Sequence, residues 1–234
     1  MRRIVVLTGA GISQESGLQT FRGADGLWNN EHIEHICTPE GFRRDPLRVD
    51  RFYNDLRARL PAVHPNAAHL ALAALEQAAR NGQWPGHLTI ITQNIDDLHE
   101  RAGSQNVIHM HGELLRLRCT HCGMTPTWRT DCYPDTPCPG CHTPALRPDI
   151  VWFGEMPYHM DTIAQRLAEC DLFVAIGTSG VVYPAAGFVD SVADHADTML
   201  FNLEVPSGPS AFEQIIPGPA TRTVPAWTRD LLDR

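Results

Sequence analysis

The sequence predicts an α/β protein: a Rossmann-like parallel sheet with helices on both faces, plus a small inserted helical and zinc-binding domain. Three observations predict it. Short apolar runs rich in β-branched residues recur along the chain, each ending in a polar or Gly-containing turn. Helical stretches rich in Ala and Leu alternate with them. Two segments break this rhythm, one polar and mainly helical, the other crowded with Cys and Pro.

The first run, Ile4-Val5-Val6-Leu7, reads as a buried strand. Thr8-Gly9-Ala10-Gly11 is a tight turn, and residues 12–17 open a helix. Two more buried strands, at residues 89–92 and 172–176, end in Gln93-Asn94-Ile95-Asp96 and Gly177-Thr178-Ser179-Gly180. A fourth, Met199-Leu200-Phe201, ends in Asn202-Leu203-Glu204. Helices are expected at residues 66–79, with Asn66 as cap, and at 162–168 and 184–196. Strands alternating with helices imply a parallel sheet, and the turns at its carboxyl ends are where ligands bind. The interruptions at 26–60 and 114–147 read as the helical and zinc-binding parts of the small domain. Residues 1–25, 61–113 and 148–234 then form the large one.

A chain of 234 residues suits this plan, and 43% hydrophobic residues is too rich for disorder. A formal charge of -8 argues against a nucleic-acid binder, which needs clustered cations, and leaves basic protein segments open as partners. The apolar run after Arg2 and Arg3 is too short for a signal sequence, and no stretch is long enough to cross a membrane. A soluble, cytoplasmic protein is expected, as a monomer.

Five of the seven cysteines fall within 23 residues, which points to metal rather than disulfides. Cys119-Thr-His-Cys122 and Cys138-Pro-Gly-Cys141 are C-x-x-C pairs with fifteen residues between them, the spacing of a Cys₄ zinc site. A closed thiolate shell has no position for water, so one zinc per chain should support folding and do no chemistry. Cys132, between the pairs, is a bystander or a competing ligand; His121 and His142 flank the site.

Gly9-Ala10-Gly11 would let backbone N–H groups approach a pyrophosphate at a helix start. It is not a full dinucleotide fingerprint, because Gln14 stands at the third Gly position. Alone, the turn could equally be a tight strand–helix connection.

Taken in order, these segments resemble the sirtuin family of NAD-dependent protein deacylases. The resemblance rests on Gly9-Ala10-Gly11-Ile12-Ser13, Phe21-Arg22-Gly23, Thr92-Gln93-Asn94-Ile95-Asp96 and His109-Met110-His111-Gly112. The two C-x-x-C pairs, Val151-Trp152-Phe153-Gly154-Glu155, Gly177-Thr178-Ser179 and Asn202-Leu203-Glu204 complete it. It implies NAD as co-substrate, with Gly9, Ala10, Gly11 and Ser13 at the pyrophosphate turn, and Phe21 and Arg22 on a loop closing over it. Gln93, Asn94, Ile95 and Asp96 would line the nicotinamide and ribose pocket. Gly177, Thr178 and Ser179 would hold phosphates; Asn202, Leu203, Glu204 and Ala220 would face the adenosine. Val151, Trp152 and Phe153 would form the acyl-lysine tunnel, and Phe153, Gly154 and Glu155 would pair with the substrate backbone as an added strand.

An imidazole titrates near neutrality and can take a proton at cellular pH. His109 and His111 would share a face of an extended segment, and the residues alone do not choose between them. The resemblance implies His111, with Asn94 and Asp96 as its catalytic companions. It implies that the acyl oxygen attacks the ribose carbon bearing nicotinamide, that His111 deprotonates a ribose hydroxyl, and that water releases lysine and O-acyl-ADP-ribose. Asp96 and Asp97 could instead be an N-cap and first-turn acid of a helix over residues 97–101.

The stretch from Gly23 through Phe52-Tyr53-Asn54 looks like the bacterial branch related to desuccinylases and demalonylases. Those use a Tyr and, three residues later, an Arg to hold the acyl carboxylate. Here Tyr53 matches, but Leu56 stands where the Arg is expected. Arg57 lies one further on, rotated about 100° around a helix. Deacetylation is therefore expected over desuccinylation, unless a register shift brings Arg57 into the role. Mono-ADP-ribosyl transfer with the same cofactor, and a non-catalytic NAD-sensing zinc module, are the competing readings.

Overall fold

The computed structural model describes residues 2–18, 33–178, 183–204 and 210–233. Its centre is a six-stranded sheet in the order β3-β2-β1-β6-β7-β8. The strands are β1 (Arg2–Thr8), β2 (Gly86–Thr92), β3 (Val107–His109), β6 (Leu172–Ile176), β7 (Asp197–Asn202) and β8 (Gln214–Pro217). All five pairings are parallel. Each central strand is buried on both faces, which is why it reads as a continuous apolar run.

The two-residue alternation sorts each strand between two cores. Ile4 and Val6 point to one face, where α5 (Ala67–Arg80) and α9 (Ala220–Leu232) bring Leu72, Leu75, Val224 and Leu231. Val5 and Leu7 point to the other, where α7 (Met160–Glu169) and α8 (Phe188–Val192) bring Ile163, Leu167, Val189 and Val192. Asn66 caps α5 as expected, accepting from the N–H of Ala68 at 2.9 Å. Its amide also donates to the Ile12 carbonyl at 2.8 Å, tying α5 to α1 (Ala10–Gln14).

The strand order reverses at β1 and β6, which places the carboxyl ends of these strands at the switch point of the sheet. Above it sits the second group of elements: α2 (Ile33–Ile36), α3 (Pro39–Arg44), α4 (Pro46–Arg59), and an antiparallel pair of β4 (Gly112–Cys119) with β5 (Leu146–Ile150). α3 and α4 each begin with a Pro after a capping side chain, Thr38 and Asp45. Their apolar side chains share a core with β4, β5 and Trp152, through Ile36, Val49, Tyr53, Leu114 and Ile150. β4 and β5 run across the expected boundaries at 113/114 and 147/148, so the paired strands carry the chain between the two groups.

Three local expectations differ from the structure. The helix after the first turn starts at Ala10 rather than Ile12. The expected helix over 184–196 is a 3-10 turn at Ala185–Gly187 followed by the short α8. β8 and α9 fall where no strand or helix is expected, and the interior of α9 carries Pro225. No helix among the described residues is long and apolar enough to cross a membrane.

Candidate functional site

The turns after β1 and β6 interlock. Gly11 donates to the Gly177 carbonyl at 2.8 Å, and Gly9 to that of Ile176 at 3.0 Å. A Cβ on Gly11 would lie 2.7 Å from the Gly177 Cα, and one on Gly9 2.8 Å from the Gly177 oxygen. Gly177 itself has φ +61°, which a side chain would strain. These glycines are thus required first by the approach of one turn to the other. Ala10 lies between them and lines the pocket beside the turns.

That pocket, of about 300 Å³, is the centre of the site. Ser13, Asn94 and Asp96 form its polar lining, while Leu56, Leu60, Val63, Ile95 and Leu114 form its apolar lining. The polar wall is built rigidly. The Asn94 amide donates to the Gly9 carbonyl at 3.1 Å and to the Ser13 hydroxyl at 3.2 Å, and the Ser13 hydroxyl donates to Asp96 at 3.1 Å. Asp96 also accepts from the N–H of Leu98, the start of α6 (Leu98–Ala102), so it does cap-like work as well as facing the pocket. Burial pushes its carboxyl up to about 6, against the pull of the Leu98 and Ser13 bonds.

A buried layer beneath this wall went unread in the sequence. His69 accepts from the Asn66 N–H through Nδ1, which leaves Nε2 to donate to Ser13 at 3.4 Å. Burial pushes its imidazole down to about 4, so it is neutral at pH 7. His99, whose ring lies 5.0 Å from that of His69, contacts the Thr8 hydroxyl at 3.0 Å. The available signal was spacing: His69 falls three residues after the Asn66 cap, inside an amphipathic helix.

The two candidate histidines have different surroundings. His109 Nε2 is 2.8 Å from the Glu100 carboxylate; burial works against its charge, but Glu100 prevails and raises its pKa. His111 Nδ1 is 3.0 Å from the Gln93 carbonyl oxygen. A carbonyl only accepts, so Nδ1 carries the proton and Nε2 keeps its lone pair. Burial lowers the His111 pKa, with the Gln93 bond opposing, which keeps that lone pair available at neutral pH. Gln93 is held in turn by its amide donating to Thr178 at 3.2 Å.

The segment after β5 is braced rather than extended. Val151 donates to the His111 carbonyl and Phe153 to that of Cys37, both at 2.9 Å. Glu155 accepts from Trp152 N–H at 2.9 Å and from Arg147 at 2.7 and 3.0 Å, and the Arg147 guanidinium lies 3.4 Å from the Trp152 ring centre. Residues 153 and 154 form a turn, with Gly154 at φ +89°, not a strand. Phe153 is exposed, whereas Trp152 is buried.

The acyl-end residues divide. Leu56 lines the pocket. Tyr53 is buried, its hydroxyl accepting from Trp152 Nε1 at 3.0 Å. Arg57, which a register shift would have brought to the acyl group, faces the other way. Its guanidinium donates to Asn54 at 2.7 Å and to the carbonyls of Leu114 and Thr130 at 3.2 Å each, because its place on α4 turns it onto the segment before Cys132. Arg59, unread in the sequence, sits on the pocket rim. Asn202 accepts from the Gly218 N–H at 2.9 Å, which brings Ala220, the first residue of α9, near it. Leu203 and Glu204 are exposed. Phe21, Arg22 and Ser179 lie outside the described residues.

The four zinc-type cysteines converge, their sulfurs all within 4.8 Å of one another. Cys119 to Cys141 and Cys122 to Cys138 are both 3.7 Å. A tetrahedron with metal–sulfur bonds of about 2.3 Å has edges of about 3.8 Å, so the set fits one zinc. Cys132 is not in the cluster; it is buried beside it, and its backbone pairs with the Asn54 side chain at 2.9 and 3.0 Å.

A profile of the Sir2 family matches residues 9–184. An NAD-dependent protein deacylase of Yersinia pseudotuberculosis is 54% identical over 98% of this chain and 82% of its own length. One of Escherichia coli strain K12 is 52% identical over the same shares. A Sir2 homologue solved as its NAD complex superposes with a TM-score of 0.88 at 36% identity, covering 99% of this chain and 90% of that one. A Sir2 protein solved with a deacetylated peptide and 3′-O-acetyl ADP-ribose superposes with a TM-score of 0.81 at 28% identity, covering 99% and 93%. With the parallel sheet, the interlocked glycine turns and the four-cysteine cluster in the same chain, these likenesses lead to one conclusion: the chain belongs to the Sir2 family.

Proposed function

We propose that this chain is an NAD-dependent protein-lysine deacylase acting on acylated peptide segments, with acetyl preferred over succinyl groups. The observation that carries the reading is His111: a half-buried, neutral imidazole with Nδ1 tied to a backbone carbonyl and Nε2 left to accept a proton. The pocket suits a cofactor with a flat polar amide and a sugar, since Asn94, Ser13 and Asp96 present fixed polar atoms into a space of that size. NAD bound there would supply the ribose carbon that takes the acyl oxygen and the nicotinamide that leaves. His111 removes a proton from the sugar hydroxyl. Asn94 and Asp96, already held by Ser13, orient the sugar and amide. Val151, Trp152 and Phe153 flank the acyl-lysine, and the Arg147–Glu155 brace fixes their segment. The acetyl preference rests on Leu56, which offers a carboxylate no partner.

The cysteine cluster holds zinc as scaffold. The division into a large domain (1–25, 61–113, 148–234) and a small one (26–60, 114–147), a monomeric state and a cytoplasmic setting complete the proposal. The homologues named deacylases support the activity, and the -8 charge suits basic peptide segments as substrates. The test is nicotinamide release from a panel of acyl-lysine peptides with NAD. Release that does not depend on acylation of the peptide would sink the deacylase reading.

A further inference from the structure

We propose that Glu15 is a positioning residue for the nucleotide: a clasp that locks the turn after β1 to the start of α9. The N-terminus of α9 has no cap of its own, because Pro219 precedes it and offers no side-chain acceptor. Glu15, 206 residues earlier, supplies one. Its carboxylate accepts from the Thr221 N–H at 3.0 Å and from the Thr221 hydroxyl at 2.7 Å. A carboxylate at a helix N-terminus is favoured by both the open N–H groups and the helix dipole.

Glu15 is the C-cap of α1, the short helix that carries Ser13 and follows Gly9-Ala10-Gly11. Thr221 follows Ala220, and the same segment is bonded through the Gly218 N–H to the Asn202 carbonyl. One side chain thus joins the turn after β1 to the start of α9, and the Gly218–Asn202 bond extends the link to the end of β7, the three segments proposed above to hold the two ends of NAD. The inference rests on that NAD-binding reading. Opening the clasp lets α1 and α9 drift, which weakens the nucleotide without touching the reacting atoms.

Binding of ADP-ribose measured by calorimetry, beside steady-state kinetics, tests it. Glu15→Gln should weaken ADP-ribose binding and raise KM for NAD five- to tenfold, with kcat and peptide KM within twofold. Thr221→Val, which keeps the N–H and loses the hydroxyl, should move both in the same direction by less. Wild-type binding with Glu15→Gln within twofold of it overturns the clasp, even if the melting temperature falls, since the contact would then serve stability alone. No binding by the wild type overturns the NAD reading and the clasp together.

A second inference comes from composition. All nineteen Lys-or-Arg positions in these 234 residues are arginine. We infer that the enzyme is refractory to the modification it removes. A lysine amine attacks the carbonyl of an acyl phosphate or acyl thioester, forming a C–N bond, expelling phosphate or thiolate, and losing a proton to solvent. A guanidinium stays protonated above pH 12 and offers no nucleophilic lone pair. Arg57 and Arg147, buried where acylation would break the contacts described above, share this immunity. After acetyl phosphate at pH 8 and a hydroxylamine wash to clear thioesters, intact mass should show at most one acetyl group, on the α-amine, with the rate unchanged within about 10%. Two or more stable acetyl groups, or a rate that falls as acetyl phosphate rises, overturns it.

Discussion

Placing an arginine at position 56 should move this enzyme toward dicarboxylic acyl groups. In the wild type Leu56 lines the pocket wall, the Tyr53 hydroxyl is committed to Trp152, and Arg57 is held by the carbonyls of Leu114 and Thr130. A succinyl carboxylate entering there loses water and gains no buried donor. Arg59 is on the rim but exposed, and an exposed ion pair contributes only about 0–1 kcal/mol, less than about fivefold in rate. A charge-assisted bond to a partly buried arginine contributes about 1.5–3 kcal/mol. At about 1.4 kcal/mol per factor of ten, Leu56→Arg should raise the succinyl-to-acetyl ratio of kcat/KM about 10- to 100-fold. The assay compares acetyl- and succinyl-lysine forms of one peptide in wild type, Leu56→Arg and Arg59→Gln. Wild-type succinyl activity equal to or above acetyl would show that Leu56 does not set the acyl preference. So would a loss of succinyl activity greater than tenfold in Arg59→Gln, which would mean that the rim arginine does what the missing one does elsewhere.

The remaining predictions concern the metal and pH. Zinc held by four thiolates contributes about 10–16 kcal/mol, as much as a whole domain's stability, so Cys119→Ser or a strong chelator should unfold the small domain and abolish activity. Circular dichroism and zinc content read this, and a fully folded, active, zinc-free enzyme would contradict it. His69 should make the fold acid-sensitive. Its folded pKa of about 4 lies below the unfolded value of 6.5, so the unfolded chain binds the extra proton in between. Stability from this group is therefore complete above pH 6.5 and falls by up to about 3 kcal/mol as pH drops to 4. Asp50 and Asp96, raised by burial to about 7 and about 6, act in the opposite direction. The measurement is accordingly the difference between wild type and His69→Gln in urea unfolding at pH 7 and pH 4.5, and parallel curves would contradict it.

What was legible in the sequence had short range or fixed spacing. Ile4 to Leu7 announces a central strand because both its faces are buried, and the paired C-x-x-C spacing dictates its own geometry. β8 is four residues between turns, and Pro225 breaks the pattern that would have marked α9; tertiary packing on α5 and β7 makes both hold. The glycine turn was read for a ligand's approach, whereas the atoms nearest to Gly9 and Gly11 belong to Gly177, a partner 166 or more residues away in the chain. The direction of Arg57 needed the docking of α4 onto Thr130 and Leu114, which helix phase alone does not give. His69 had its spacing from the Asn66 cap as a signal, but His99, a buried neutral histidine, leaves no local pattern.

In the proposed division of labour, His111 carries the chemistry and the cysteine cluster carries the fold. His111→Ala tests it most directly, with nicotinamide release from an acetyl-lysine peptide, zinc content and melting temperature measured on the same sample. Acyl transfer should fall at least about 100-fold, the scale of a lost general base, with zinc and melting temperature near wild type. Activity within tenfold of wild type in that folded, zinc-loaded variant would contradict it.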